Sequence, residues 1–188
     1  MKSIPESDVI FGPYDEKDLF HIEKSELYKS LGEGLKTVEF ILRASTTEQG
    51  IVFVEAKSNG SNPENKDASE EKRKKFEKFY TDVPDKFVDS LGIYTAAILK
   101  RYSDASEVGE NLALADLKDV KLTFALVITN PAAQIEWLAP MKAELEERLR
   151  RWMKIWDIDV VVLNQDLAKR WGLIQNSADL MWRPTQYV

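Results

Sequence analysis

Residues 122–128 read LTFALVI, with one polar side chain, Thr123, in seven. A strand with one face in water alternates apolar and polar residues, so a run this continuous is predicted to be buried on both faces. Residues 159–163, DVVVL, carry the same signal. Such strands need helices packed over them, and the flanking sequence supplies candidates. Pro140 is predicted to open a helix through about Ile155, with Met141, Leu145, Leu149, Trp152 and Trp156 as its buried stripe. Asp67 with Glu70 makes a capping-box pattern for a charged helix through about Tyr80. Pro84 is predicted to start another helix, whose Phe87, Leu91, Tyr94 and Ile98 recur at helical spacing. Asn164 is placed to cap a short helix ending at Gly172.

Two earlier segments alternate instead. In Leu35–Arg43, Thr37, Glu39 and Ile41 share one face and Val38, Phe40 and Leu42 the other. In Ile51–Lys57, Ile51, Phe53, Glu55 and Lys57 share one face and Val52, Val54 and Ala56 the other. The polar stretch Ala44 to Gly50 between them reads as a hairpin loop. Pairing Ile41 with Phe53 sets Glu39 opposite Glu55 and keeps the apolar face whole. A further strand is expected around Asp18 to Glu23 and a short helix over Ser25 to Leu31. The expected fold class is α/β: a mixed β-sheet with a hairpin and flanking helices. A single domain over residues 1–188 is expected, with an exposed loop near 58–67 and a linker near 102–119.

Composition removes several chemistries. Cysteine is absent, which excludes disulfides, thiolate metal sites and cysteine catalysis. The single histidine, His21, leaves no His-rich zinc site. The N-terminal MKSIPESDVI has no apolar h-region and no run reaches membrane-spanning length, so a cytoplasmic protein without a membrane partner is expected. The net charge of −6 does not favour a general nucleic-acid coat, but leaves room for a local contact.

The paired strands carry the chemistry. Two carboxylates directly across a strand pair repel each other, unless a cation lies between them. Mg2+ or Mn2+ prefers oxygen ligands, and Glu39, Glu55 and the carbonyl of Ala56 offer three. Lys57 is then placed to assist a nucleophile or to stabilise charge on a phosphate. Glu55-Ala56-Lys57 at the end of an apolar strand, sixteen residues after Glu39 in the preceding strand, resembles the motif of the PD-(D/E)xK, restriction-endonuclease-like nucleases. The order helix, strand, helix, strand that follows also resembles that family's core. The resemblance implies a restriction-endonuclease-like fold and metal-dependent phosphodiester hydrolysis, with DNA the expected substrate. It implies Glu39 and Glu55 as metal ligands and Lys57 as the catalytic lysine, with a further glutamate from Glu26 or Glu33. Two departures stand out: a glutamate, Glu39, replaces the usual aspartate, and Val38 stands where proline is usual.

Plainer readings compete with each signal. Glu39, Glu55 and Lys57 are also what an exposed sheet face with a weak salt bridge looks like, although Ile41, Ile51 and Phe53 on that face argue for cover. The run Glu70 to Lys75 and the cluster Arg148, Arg150, Arg151 and Lys154 read first as solvated helix faces and second as phosphate contacts. The five tryptophans read as core and interface anchors. His21 reads as a satisfied polar residue, and Gly32 and Gly34 lack the lysine-serine of a phosphate loop. A second functional reading is a nuclease-like interaction module with a degraded site, working with partner protein subunits.

Overall fold

The computed structural model describes residues 1–44, 50–62, 65, 68–102, 106–130 and 135–174. In chain order its elements are β1 (Lys2–Glu6), β2 (Val9–Tyr14), β3 (Leu19–Phe20), α1 (Glu26–Ser30), β4 (Phe40–Arg43), β5 (Ile51–Lys57), α2 (Glu70–Ile98), α3 (Glu110–Ala113), β6 (Leu122–Ile128), α4 (Ile135–Trp156), β7 (Ile158–Asn164) and α5 (Gln165–Arg170). Short 3-10 turns lie at Glu16–Asp18 and Ile22–Lys24. β3 to β7 form a five-stranded sheet in sequence order, and β1 and β2 form a separate antiparallel pair. β4 and β5 are antiparallel with Ile41 opposite Phe53, while β5, β6 and β7 run parallel. The mixed sheet with a hairpin and flanking helices is therefore present. Parallel neighbours require crossovers, and α2 and α4 provide them.

The continuous apolar strands are buried on both faces, as their pattern demands. On one face Ile51, Phe53, Phe124 and Leu126 pack under Phe76, Tyr80, Phe87 and Leu91 of α2 and Met141, Leu145 and Leu149 of α4. On the other, Val52, Val54, Ala125 and Val127 meet Ile4 and Phe11 of the N-terminal pair, Ala168 of α5, and Leu173 and Ile174. Phe124 joins the first layer to the sheet: its ring stacks on Phe87 with centroids 4.7 Å apart and meets Phe53 edge-on at 5.3 Å. Phe124→Ala is expected to lower stability by about 3–5 kcal/mol, measured by urea unfolding.

The helices depart from the sequence expectation at both prolines. α2 is one helix through Pro84, because Phe76, Tyr80, Val83, Phe87, Leu91 and Tyr94 form one uninterrupted buried stripe. That burial outweighs the roughly 3 kcal/mol an interior proline costs. α4 likewise begins at Ile135, with Pro140 inside it, because its stripe already starts at Leu138. Trp152 is exposed and leaves that stripe, while Trp156 is half-buried and packs against the same core. Asp67 lies outside the described residues, and Ser69 holds the N-cap position of α2. Asn164 does cap α5, its Oδ1 accepting from the Leu167 N–H at 2.9 Å, and Gly172 follows with φ +73°. Asn164→Ala is expected to cost about 1 kcal/mol, read as a fall in melting temperature.

Three differences lie near the proposed site. The pair β1–β2 is not anticipated by the sequence reading. The strand expected over Asp18 to Glu23 is confined to Leu19–Phe20, with a 3-10 turn after it. Of Leu35 to Arg43, only Phe40–Arg43 is strand. The segment before it is held by α2 instead: Asp89 accepts from the Lys36 N–H and Ser90 Oγ from the Val38 N–H, each at 2.9 Å. The Lys36 ammonium reaches Asp82 and Asp85, both at 2.8 Å. With its N–H groups taken by side chains, this stretch cannot join the ladder. Val38 consequently turns into the α2-side core and does not share the face of Phe40 and Leu42.

Candidate functional site

Strand parity sends Glu55 to the α2 side of the sheet, the side of Phe53, and the start of β4 brings Glu39 beside it. The Glu39 N–H donates to the Val54 carbonyl at 3.0 Å, which fixes that entry. Glu55 is fully buried and Glu39 is 4 % exposed. The two carboxylates flank one ammonium group. Lys86 Nζ, from the middle of α2, lies 2.8 Å from Glu55 Oε1, 3.0 Å from Glu55 Oε2 and 3.6 Å from Glu39 Oε1. Lys57 Nζ lies 2.6 Å from Glu55 Oε1. Side-chain exposure rises outward through this group, from 0 % at Glu55 and 5 % at Glu39 to 18 % at Lys86 and 34 % at Lys57. The acids form the floor and the lysines the mouth.

The backbone adds an oxygen at the same place. Ile51 N–H bonds to the Lys121 carbonyl and Thr129 N–H to the Lys57 carbonyl, so odd-numbered residues of β5 address β6. The Ala56 carbonyl therefore faces the β4 side, beyond the Phe40–Val54 pair where β4 begins. Glu39, Glu55, Ala56 and Lys57 are thus brought to one end of the β4–β5 pair.

A second group of acids adjoins Glu39. Carboxylate oxygens of Glu6, Glu23 and Glu39 lie within 4.8 Å of one another. Glu6 ends β1, ahead of a tight turn in which Ser7 and Asp8 have φ of 48° and 64°. Thr129 Oγ1 donates to the Ser7 carbonyl and ties that turn to the end of β6. Glu23 comes from the 3-10 turn before α1. It is Glu23, and not Glu26 or Glu33, that this part of the chain places beside Glu39. Glu26 pairs instead with Lys29 at 2.6 Å in solvent, and Glu33 is exposed.

Four groups at this site, Glu23, Glu39, Glu55 and Lys86, have shifted pKa values. Burial, then the charge of Glu55, pushes the Glu39 carboxyl up to about 8. Burial also raises Glu55, against the pull of Lys86 and Lys57. Burial opposes the charge of Lys86, but Glu55 and Glu39 more than offset it and hold its pKa above the usual value. For Glu23, burial is outweighed by hydrogen bonds from Lys24 and Glu39, and its pKa is lowered. Burial thus favours the protonated form of Glu39 at neutral pH. Glu39 Oε2 has no hydrogen-bond partner among the described residues.

The remaining sequence signals resolve to plainer roles. Lys74 and Lys75 pair with Glu70 and Glu71 on the exposed start of α2. Arg148 is held by Glu77 and Glu144, and Arg150 reaches Glu147. Gly32 and Gly34 have φ of +79° and +98°, as the turn after α1 requires. Trp137, Trp156 and Trp171 are half-buried and pack against the core, while Trp152 is exposed. His21 is half-buried, its pKa lowered by burial and then by Lys2 and Lys24.

Lys86, Glu6 and Glu23 were not singled out from sequence. Lys86 did leave a trace, since it lies between the buried positions Val83 and Ser90 at i−3 and i+4, where a lysine is out of place without a partner. Among the described residues, no helix is long and apolar enough to cross a membrane. Comparison with protein families, with characterised proteins and with solved structures finds no match for this chain. The function must be argued from the site.

The donor set fits a hard divalent cation. It offers two buried carboxyl groups side by side, a strand carbonyl on the same edge, and a Glu39 oxygen without a hydrogen-bond donor. Softer metals would want sulfur or imidazole, which the site lacks.

Proposed function

We propose that this chain is a divalent-metal-dependent nuclease that hydrolyses phosphodiester bonds, with DNA as the substrate and Mg2+ or Mn2+ as the cofactor. The observation that carries this reading is the burial of Glu39 and Glu55 side by side beneath two lysines. As a purely structural device the arrangement is poor: replacing such a network with packed apolar residues is often neutral or stabilising by about 1–4 kcal/mol. A restriction-endonuclease-like core and cytoplasmic location belong to the same proposal.

Glu39, Glu55 and the Ala56 carbonyl would hold the cation, which when bound supplies the Lewis acidity that phosphodiester hydrolysis needs. Lys57, the most exposed of the group, meets the phosphate first and offsets the charge that builds on it in the transition state. Glu55 orients Lys57 through their 2.6 Å contact.

The second reading, an interaction module with partner subunits, is favoured by one observation: Lys86 already neutralises the acids. Incubation with single- and double-stranded DNA and Mg2+ or Mn2+ separates the two. The nuclease reading expects cleavage that is abolished by chelation. A chain that binds metal and cuts neither substrate supports the module.

A further inference from the structure

We infer that Lys86 is a resident counter-cation which holds the Glu39–Glu55 pair in the metal-free protein and is displaced when a divalent ion binds. This rests on the metal-site reading above and adds a residue that competes for the site.

The geometry requires the competition. Lys86 Nζ lies within 3.0 Å of both oxygens of Glu55 and 3.6 Å of Glu39 Oε1. Those are the oxygens offered to the metal. A divalent cation bound between Glu39 and Glu55 would need the bridging position that the Lys86 ammonium holds, and two positive charges cannot occupy that one largely buried place. Lys86 has somewhere to go. Its side chain is 18 % exposed and sits nearer the mouth than either acid, so rotation about its flexible stem carries the ammonium outward. Lys57 differs in this respect: it touches Glu55 alone and is already 34 % exposed, so it can remain in place.

The helix explains why the lysine is available. The stripe of α2 around Lys86 is pinned at its next turn by Ser90, which accepts the Val38 N–H, and by Asp89, which accepts that of Lys36. The Lys86 backbone is thus anchored beside the entry to β4, and only its side chain moves. Once displaced, its ammonium stands at the mouth beside Lys57, where a phosphodiester anion would approach.

Calorimetric titration with Mn2+ alone, on the wild type and on Lys86→Met, tests this. Met keeps the stem and removes the charge. The expected result is tighter Mn2+ binding by Lys86→Met, by tenfold or more, with a lower metal-free melting temperature that Mn2+ restores. A wild type that binds Mn2+ and a variant that binds it no better overturns the inference and leaves the nuclease reading standing. Binding by the variant alone supports the inference and removes the nuclease reading for the native chain. No binding by either overturns both. Should Lys86→Met fail to fold, amine acylation of the wild type read by mass spectrometry decides the matter. Lys86 should be slow to react without metal and at least threefold faster with saturating Mn2+; an unchanged rate would overturn the displacement.

Discussion

Glu55→Gln and Lys57→Ala are expected to abolish cleavage in different ways. Glu55 is fully buried and touches both lysines, so the amide should weaken Mn2+ binding by tenfold or more as well as remove activity. Lys57 is placed to act on the substrate, and its loss should leave metal affinity within about threefold while turnover falls by roughly 10^2–10^4. Both effects come from a charge-assisted contact in a site with little water, where one group carries far more than at the surface. Calorimetry beside single-turnover cleavage separates them. Equal loss of metal affinity in both variants would show that Lys57 supports the site and does not touch the reaction.

Stability of the metal-free protein should fall as pH rises from about 4.5 towards 8, and Glu39→Gln should remove most of that slope. The sign follows from proton linkage. Glu39 binds its proton up to about pH 8 when folded, and only up to its ordinary 4.5 when unfolded. Between those values the folded state carries more protons, so raising the pH favours unfolding. Glu55, also raised, acts in the same direction, while Glu23, lowered, acts against it. His21, held neutral, withdraws stability below its usual range, so the comparison of wild type with Glu39→Gln is what isolates Glu39. At pH 8 the variant should be the more stable by roughly 2 kcal/mol, or about 4–8 °C in melting temperature. A parallel fall in both proteins would mean that Glu39 is ionised and satisfied in the folded state.

The site shows which parts of a structure can be read from local pattern. Strand parity alone gave the Ile41–Phe53 register and put Glu39 and Glu55 on one side of the sheet, because period-two alternation depends only on neighbours along the chain. The two apolar strands and the Asn164 cap were legible for the same reason. What failed depends on partners distant in sequence. Residues 36 to 38 read as strand until Asp82, Asp85, Asp89 and Ser90 of α2 claim them. Pro84 and Pro140 read as helix starts because the local penalty is visible and the buried stripe that outweighs it is not. Lys86 lies 31 residues from Glu55 and carries no spacing signature towards it. Glu6 and Glu23 reach Glu39 only because the N-terminal strands fold back on the sheet.

Anomalous diffraction from crystals soaked in Mn2+ distinguishes a pair of metal ligands at Glu39 and Glu55 from a neutralised salt-bridge cluster. The expected result is one peak bounded by the Glu39 and Glu55 carboxylates and the Ala56 carbonyl, with the Lys86 ammonium turned away from it. Density that leaves Lys86 between the two glutamates, with no peak there at saturating Mn2+, would show that the pair is not a metal site.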